Sequence, residues 1–208
     1  MTRPGNLYIV SGPSGAGKSV LSVAVLGALP NLRFSVSYTT RPPRGSERNG
    51  VEYHFVSPAQ FDELRRNGDL LEWAEVYGNL YGTSKKGIEE ILARGEDVLL
   101  DIDVQGALSL RQKRPDAIGI FILPPSFQVL RERLERRRLD RDYVIEQRLR
   151  TACREIKLFG SYDYLIINRE LETSVEELKA IITGSRCRLG ARAECAESIL
   201  KTFGGFDV

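Results

Sequence analysis

A chain of 208 residues is long enough to bury a full core and predicts one domain. Its 42% hydrophobic and 28% charged content is that of an ordinary globular protein, and a net charge of +2 excludes a whole-molecule nucleic-acid footprint. No apolar run approaches the roughly 20 residues of a membrane helix, and the first is cut off by Ser11 and Gly12 before a secretory core could form. A cytoplasmic protein with no membrane or nucleic-acid partner is expected.

The first elements are an apolar strand, Leu7–Val10, and a helix, Lys18–Ala28, joined by Ser11-Gly12-Pro13-Ser14-Gly15-Ala16-Gly17. Phe34–Tyr38 reads as a strand and Thr39–Gly50 as a polar loop punctuated by Pro42, Pro43, Gly45 and Gly50. A short strand, Tyr53–Val56, precedes Ser57-Pro58-Ala59-Gln60, a capping box with Pro at the first helical position; Gly68 ends that helix. Leu70–Tyr77 is strand-like, and Gly78-Asn79 turns the chain into Leu80-Tyr81-Gly82.

From Ser84 onward apolar strands alternate with helices. These are Lys85–Arg94 (helix), Val98–Ile102 (strand), Val104–Lys113 (helix) and Ile118–Leu123 (strand). One Arg-rich helical stretch is expected from Ser126 to about Phe159, then a strand, Tyr164–Asn168. A second capping box, Thr173-Ser174-Val175-Glu176, is expected to open the C-terminal helices. Continuous apolar strands separated by helices predict an α/β fold with a parallel sheet covered on both faces. Residues 34–83 break that rhythm and predict a small inserted lobe, leaving 1–33 and 84–208 as the core. The three cysteines, Cys153, Cys187 and Cys195, have no CxxC spacing and read as free thiols.

The segment from Gly12 to Ser19 matches Gly-x-x-x-x-Gly-Lys-Ser. Chance supplies such a match in roughly one chain per hundred of this length, and here a strand precedes it and a helix follows. Glycines let the backbone amides turn toward phosphate oxygens, and the helix adds its positive dipole end. Lys18 would reach the β- and γ-phosphates and the Ser19 hydroxyl a Mg²⁺ ion. Asp101, at the carboxyl end of its strand, is the candidate to hold Mg²⁺ directly or through water.

The rest of the chain says what becomes of the phosphate. There is no Asn-Lys-x-Asp stretch, as a regulatory GTPase would carry, and the single histidine, His54, lies in the inserted lobe and reads as structural. An acceptor that is itself a phosphate is mostly a dianion at pH 7 and needs no base. What it needs is positive charge against the repulsion of two anions. Arginine outnumbers lysine 23 to 7, and guanidinium forks suit phosphate. Two clusters stand out. Arg41 and Arg44 lie on the Pro/Gly-bounded loop, and residues 130–150 hold eight arginines against five acids. In the latter, Arg133 and Arg137 share a helical face.

On these residues the chain resembles the guanylate kinase family of P-loop nucleoside-monophosphate kinases, from about Leu7 to about Leu178. The resemblance rests on "SGPSGAGKS", "SVSYTTRPPRGSERNGVEYHFVS", "LLEWAEVYGNLYGTS", "VLLDIDVQGA" and "YDYLIIN". It implies a P-loop kinase fold with a GMP-binding lobe at 34–83 and an Arg-rich lid at about 126–150, acting on ATP with GMP or dGMP.

It also implies that Arg41, Arg44, Tyr53 and Tyr81 hold the GMP phosphate, that Ser37, Glu72 and Thr83 read guanine, and that Asp103 lies near the acceptor. Arg133, Arg137 and Arg148 would be lid arginines closing on the phosphates, with Lys18, Arg41, Arg137 and Arg148 catalytic. Asn168 would lie near the ATP base. From spacing alone Glu72, beside Trp73, is an ordinary exposed strand residue. The chain departs from the family pattern at Val20, Arg138, Arg141 and Arg169. Two competing expectations are a catalytically inactive binding module of the same fold, and a kinase for another monophosphate; the intact Lys18, Ser19, Asp101, Arg41 and Arg44 oppose the first, and Glu72 the second.

Overall fold

The computed structural model describes residues 4–136 and 142–203. The first strand, β1 (Leu7–Ser11), runs through a glycine-rich loop into α1 (Lys18–Ala28), and β2 (Leu32–Phe34) follows. Next come β3 (Tyr38–Thr39), β4 (His54–Phe55), α2 (Pro58–Arg66), β5 (Leu70–Val76) and β6 (Asn79–Ser84). The chain continues through α3 (Lys85–Ala93), β7 (Asp97–Asp101), α4 (Val104–Lys113) and β8 (Ile118–Leu123). Then follow α5 (Phe127–Arg136), α6 (Asp142–Glu155), a 3₁₀ turn (Ile156–Ser161), β9 (Tyr164–Ile167), α7 (Leu171–Ser185) and α8 (Leu189–Thr202).

Five strands form one parallel sheet in the order β2-β7-β1-β8-β9. Alternate residues of β1 enter opposite cores, as the two-residue strand period requires. Tyr8 and Val10 pack with Leu21, Val25, Leu178 and Ile182 from α1 and α7. Leu7 and Ile9 pack with Ile88, Leu92, Ala107 and Leu110 from α3 and α4. Both faces are covered, so every residue of β1 is buried. Each fully buried aliphatic side chain of this kind stabilises by about 1.5–3 kcal/mol before its ordering entropy is counted.

A second sheet, in the order β4-β3-β6-β5, is built from residues 38–84 and packs Phe61 of α2. The capping box at Ser57 is present: Ser57 Oγ accepts from Gln60 N, and Ser57 N donates to Gln60 Oε1. In the β5–β6 hairpin the register shifts between Leu70 and Glu72. That bulge places Leu70, Leu71 and Glu72 all in buried positions. Lys113 Nζ from α4 donates to Leu71 O (2.9 Å), tying the bulge to the main body.

Three expectations are corrected. Phe34–Tyr38 is not one strand: β2 ends at Phe34 in the main sheet and β3 starts at Tyr38 in the second, with Ser35–Ser37 crossing between them. Thr173–Glu176 does not open a helix. The helix starts at Leu171, Ser174 N already bonds Glu170 O, and Ser174 is buried against the core. The Arg-rich stretch is not one helix: α5 and α6 are separate and pack as a pair through Leu130, Leu134, Ile145, Leu149 and Ala152.

Past the last recognisable motif, Arg186 closes the fold. Its Nε donates to the fully buried Asp97 (2.7 Å) and its Nη2 to Pro30 O (2.8 Å), fastening the end of α7 to the start of β7. The three cysteines are free and exposed. Among the described residues, no helix is long and apolar enough to cross a membrane.

Candidate active site

The carboxyl ends of β1 and β7, the second sheet and α6 enclose a cleft of about 570 Å³. On one wall the chain leaves β1 through Gly12, at φ 138°, where a Cβ would stand 2.2 Å from Ile122 O. Only glycine fits that turn. Gly17 precedes α1 at φ 98°, and a Cβ there would meet Asn168 Nδ2 at 2.3 Å. Gly12, Ser14, Gly15, Gly17, Lys18 and Ser19 all line the cleft. Lys18 Nζ donates to Gly12 O (2.7 Å) and Pro13 O (3.3 Å), curling over the loop. Val20 is also on this wall and 54% exposed, so the departure from the family pattern costs no packing.

Two predicted residues support this loop from behind. Asn168 is buried and its Nδ2 donates to Ala16 O (2.7 Å). Arg133, from α5, donates through Nη2 to Asn168 O (2.9 Å) and through Nη1 to Ala16 O (3.4 Å). Neither lines the cleft; both hold the backbone that does.

Ser19 Oγ donates to Asp101 Oδ2 over 2.7 Å. Neighbouring ligands of an octahedral Mg²⁺ at 2.0–2.1 Å are about 2.9 Å apart. This hydroxyl and carboxylate therefore have the chemistry and spacing of two ligands of one small hard cation. Burial pushes the Asp101 carboxyl up, while Lys18 and the Ser19 hydroxyl draw it back toward the ionised form.

The opposite wall comes from the second sheet. Ser37, Arg44, Tyr53, Glu72 and Tyr81 face the cleft, with Asp103 at its floor. The Tyr53 and Tyr81 rings meet edge to face at 5.8 Å. Burial pushes the Tyr53 phenol up to about 12, so it stays a proton donor. Thr83 lies behind Glu72, its Oγ1 donating to Glu72 Oε1 (2.5 Å). Glu72 is 3% exposed, whereas Trp73 is 41% exposed, the reverse of what their spacing predicts. Glu72 shares the inner face with Leu70 and Ala74, in step with the two-residue strand period, and Leu71 is the residue buried out of phase at the register shift. Burial pushes the Glu72 carboxyl up to about 7; the Thr83 hydroxyl and Lys113 act against that, and Asp103 adds to it. Asp103 itself caps α4, accepting from Gln105 N (3.1 Å) and Gly106 N (3.2 Å).

Arg41 is not on the cleft wall. It is 6% exposed, and its Nη2 donates to both carboxylate oxygens of Glu47 (3.0 and 2.9 Å) and its Nη1 to Pro42 O (2.8 Å). Its guanidinium lies 5.3 Å from the centre of the Tyr53 ring. Glu47 also accepts from Arg44 N (2.8 Å), so one carboxylate organises the whole arginine loop. Sequence reasoning missed Glu47, although its place six residues past Arg41 in a Pro/Gly-bounded loop was a usable signal. His54 is structural, stacked on Tyr38 with centroids 4.8 Å apart.

The third wall is α6. Arg148, Thr151 and Glu155 lie on one stripe of that helix and all face the cleft. The Arg148 guanidinium sits 5.7 Å from the centre of the Tyr77 ring, at the tip of the β5–β6 hairpin. Glu155 was also missed. Burial raises its carboxyl and Lys18 lowers it, so it stands within electrostatic reach of the loop lysine. The 148/151/155 spacing was the signal that could have found it. Arg137, like Arg138 and Arg141, lies outside the described residues.

A family model described as guanylate kinase matches residues 4–185. The guanylate kinase of Koribacter versatilis is 52% identical over 188 residues, covering 88% of this chain and 80% of that protein. That of Aromatoleum aromaticum is 48% identical over 191 residues, covering 92% and 94%. The crystal structure of guanylate kinase from Anaplasma phagocytophilum superimposes with a TM-score of 0.78 at 31% identity, covering 91% of this chain and 90% of that one. A shikimate kinase from Bacteroides thetaiotaomicron, at 18% identity and TM-score 0.50, shares the fold alone.

Proposed function

This chain belongs to the guanylate kinase family and phosphorylates GMP with ATP as donor, and from that premise we propose how its own residues divide the reaction. The P-loop amides and Lys18 hold the β- and γ-phosphates of ATP. Ser19 and Asp101 hold Mg²⁺, directly or through water. The ion, when bound, neutralises charge on the β- and γ-oxygens. Arg133 and Asn168 serve ATP through the loop they brace. The inserted lobe, residues 34–83, carries the acceptor; Arg44, Tyr53 and Tyr81 bind its phosphate, and Arg41 joins them as that dianion competes with Glu47. Arg148, with Arg137, covers the transferring group.

An oxygen of the GMP phosphate attacks the γ-phosphorus, the bond to the bridging oxygen breaks in line with it, and ADP leaves. The acceptor is already ionised, so no residue has to remove a proton. The protein contributes position, charge and exclusion of water. The base is read by Glu72, aided by Ser37, Thr83 and Asp103. Guanine offers N1–H and a 2-amino group to a carboxylate, and adenine offers neither. The observation that carries this reading is the buried Glu72 carboxylate, fixed by Thr83 and facing the cleft shared with the P-loop.

Initial rates of ADP release with GMP, dGMP, AMP, CMP and UMP test it. GMP and dGMP are expected to exceed the others by at least 100-fold in kcat/KM. AMP equal to GMP would remove the specificity assignment.

The carboxyl raised to about 7 gives a signed pH effect. Guanine donors require the ionised form, so binding GMP below that pH must expel a proton. KM for GMP is expected to rise by up to about tenfold per pH unit below 7. The excess of that slope over Glu72→Gln isolates it from titration of the GMP phosphate. For folding the sign is opposite: the raised carboxyl favours the native state below its ordinary value of 4.5, and that contribution, on the order of 3 kcal/mol, is lost as pH rises to about 7.

A further inference from the structure

We infer that Gly106 is a specificity-determining residue, because the space left by its missing side chain is where the Glu72 carboxylate stands. Gly106 is the third residue of α4, and its backbone is ordinary: it is not among the positive-φ glycines. Conformation therefore gives no reason for glycine here, and a helix interior disfavours it. Space does give a reason. A Cβ on Gly106 would stand 2.6 Å from Glu72 Oε2, 3.3 Å from its carboxyl carbon and 3.0 Å from Asp103 Oδ1. The first distance is one that no real methyl group keeps.

The geometry divides the carboxylate into two halves. Oε1 accepts from the Thr83 hydroxyl (2.5 Å) and Oε2 lies over Gly106. A methyl at 106 cannot push the α4 backbone away cheaply, since Gly106 N is bonded to the Asp103 cap (3.2 Å) and α4 packs through Ala107 and Leu110 into the core. The end of the Glu72 side chain is what yields. The clash is thus mild for the fold and severe for the reading of guanine, because two donors need both oxygens in one plane and at one depth. This inference rests on the assignment of Glu72 as the guanine-reading group.

The test compares Gly106→Ala, Glu72→Ala and the double variant, using kcat/KM for GMP and for AMP, KM for ATP and the melting temperature. Gly106→Ala is expected to raise KM for GMP at least tenfold and to lower the GMP/AMP ratio, with KM for ATP within twofold of wild type. In the Glu72→Ala background the same change is expected to have a several-fold smaller effect, since its main clash partner is gone and only the 3.0 Å approach to Asp103 Oδ1 remains. If Gly106→Ala itself fails to fold, the double variant is still expected to fold and melt with Glu72→Ala.

An unchanged GMP/AMP ratio in Gly106→Ala, beside a lowered one in Glu72→Ala, would overturn the role of Gly106 alone. So would a Gly106→Ala effect that is the same size in both backgrounds, or a double variant that fails to fold. An unchanged ratio in Glu72→Ala would instead overturn the assignment of Glu72.

Discussion

Lys18→Ala is expected to lower kcat by about 10³-fold or more while leaving the fold intact. The lysine is the one ammonium the loop places among its own phosphate-facing amides, and its Nζ already sits 2.7 Å from Gly12 O at the mouth of the cleft. Removing a single neutral donor from a site of developing charge typically costs about 10²–10³ in kcat. A full positive charge, used where negative charge shifts between donor and acceptor, belongs at or above that range. The side chain is only partly buried and bonds two loop carbonyls, so its loss should move the melting temperature little. The measurement is ADP release at saturating ATP and GMP, alongside a thermal melt. A rate within tenfold of wild type, with the fold intact, would contradict the phosphate role of the loop.

The second large effect is expected from Glu72→Gln. The amide preserves shape and volume, yet presents one oxygen and one N–H₂ group where guanine also brings donors. One guanine donor then faces another donor in a buried site, a cost of about 2–4 kcal/mol. That corresponds to a loss of roughly 30- to 1000-fold in kcat/KM for GMP, with KM for ATP nearly unchanged and the preference over AMP correspondingly narrowed. The variant should be no less stable at pH 8, because it removes a carboxylate that burial already disfavours in its charged form. A GMP/AMP ratio equal to wild type would take Glu72 out of the recognition role.

Not every local signal survived folding. The capping box at Ser57 formed as its residues predict, because Ser57, Pro58 and Gln60 satisfy the helix end among themselves. The one at Thr173 did not. The tight return from β9 starts the helix at Leu171, and Ser174 is taken into the core. Arg133 and Asn168, expected beside ATP, bond the backbone of the phosphate loop and do not line the cleft. A sequence names a guanidinium or an amide without saying whether it meets a ligand or, as here, the carbonyl of Ala16.

Glu47, Glu155 and Gly106 were harder still. Glu155 and Gly106 matter through neighbours distant in the chain, Lys18 and Glu72, and Glu47 through Arg41, six residues away across an irregular loop.

What the sequence by itself determined were the features that reside in consecutive residues. The strand–loop–helix of the phosphate loop is one, since its glycines, Lys18 and Ser19 act through their own backbone. The alternation of apolar strands with helices, and hence the parallel sheet, is another, because strand and helix periods are local. Only the tertiary structure decided which way Glu72 faces. Two phases of the β5 alternation are open to the sequence, one burying Leu71 and Trp73 and the other Leu70, Glu72 and Ala74; the fold takes the second, with Leu71 also buried at the register shift and held by Lys113 from α4. What packs on each face of the strand chooses between those phases, so no reading of one strand could place that carboxylate beside Thr83 and over Gly106.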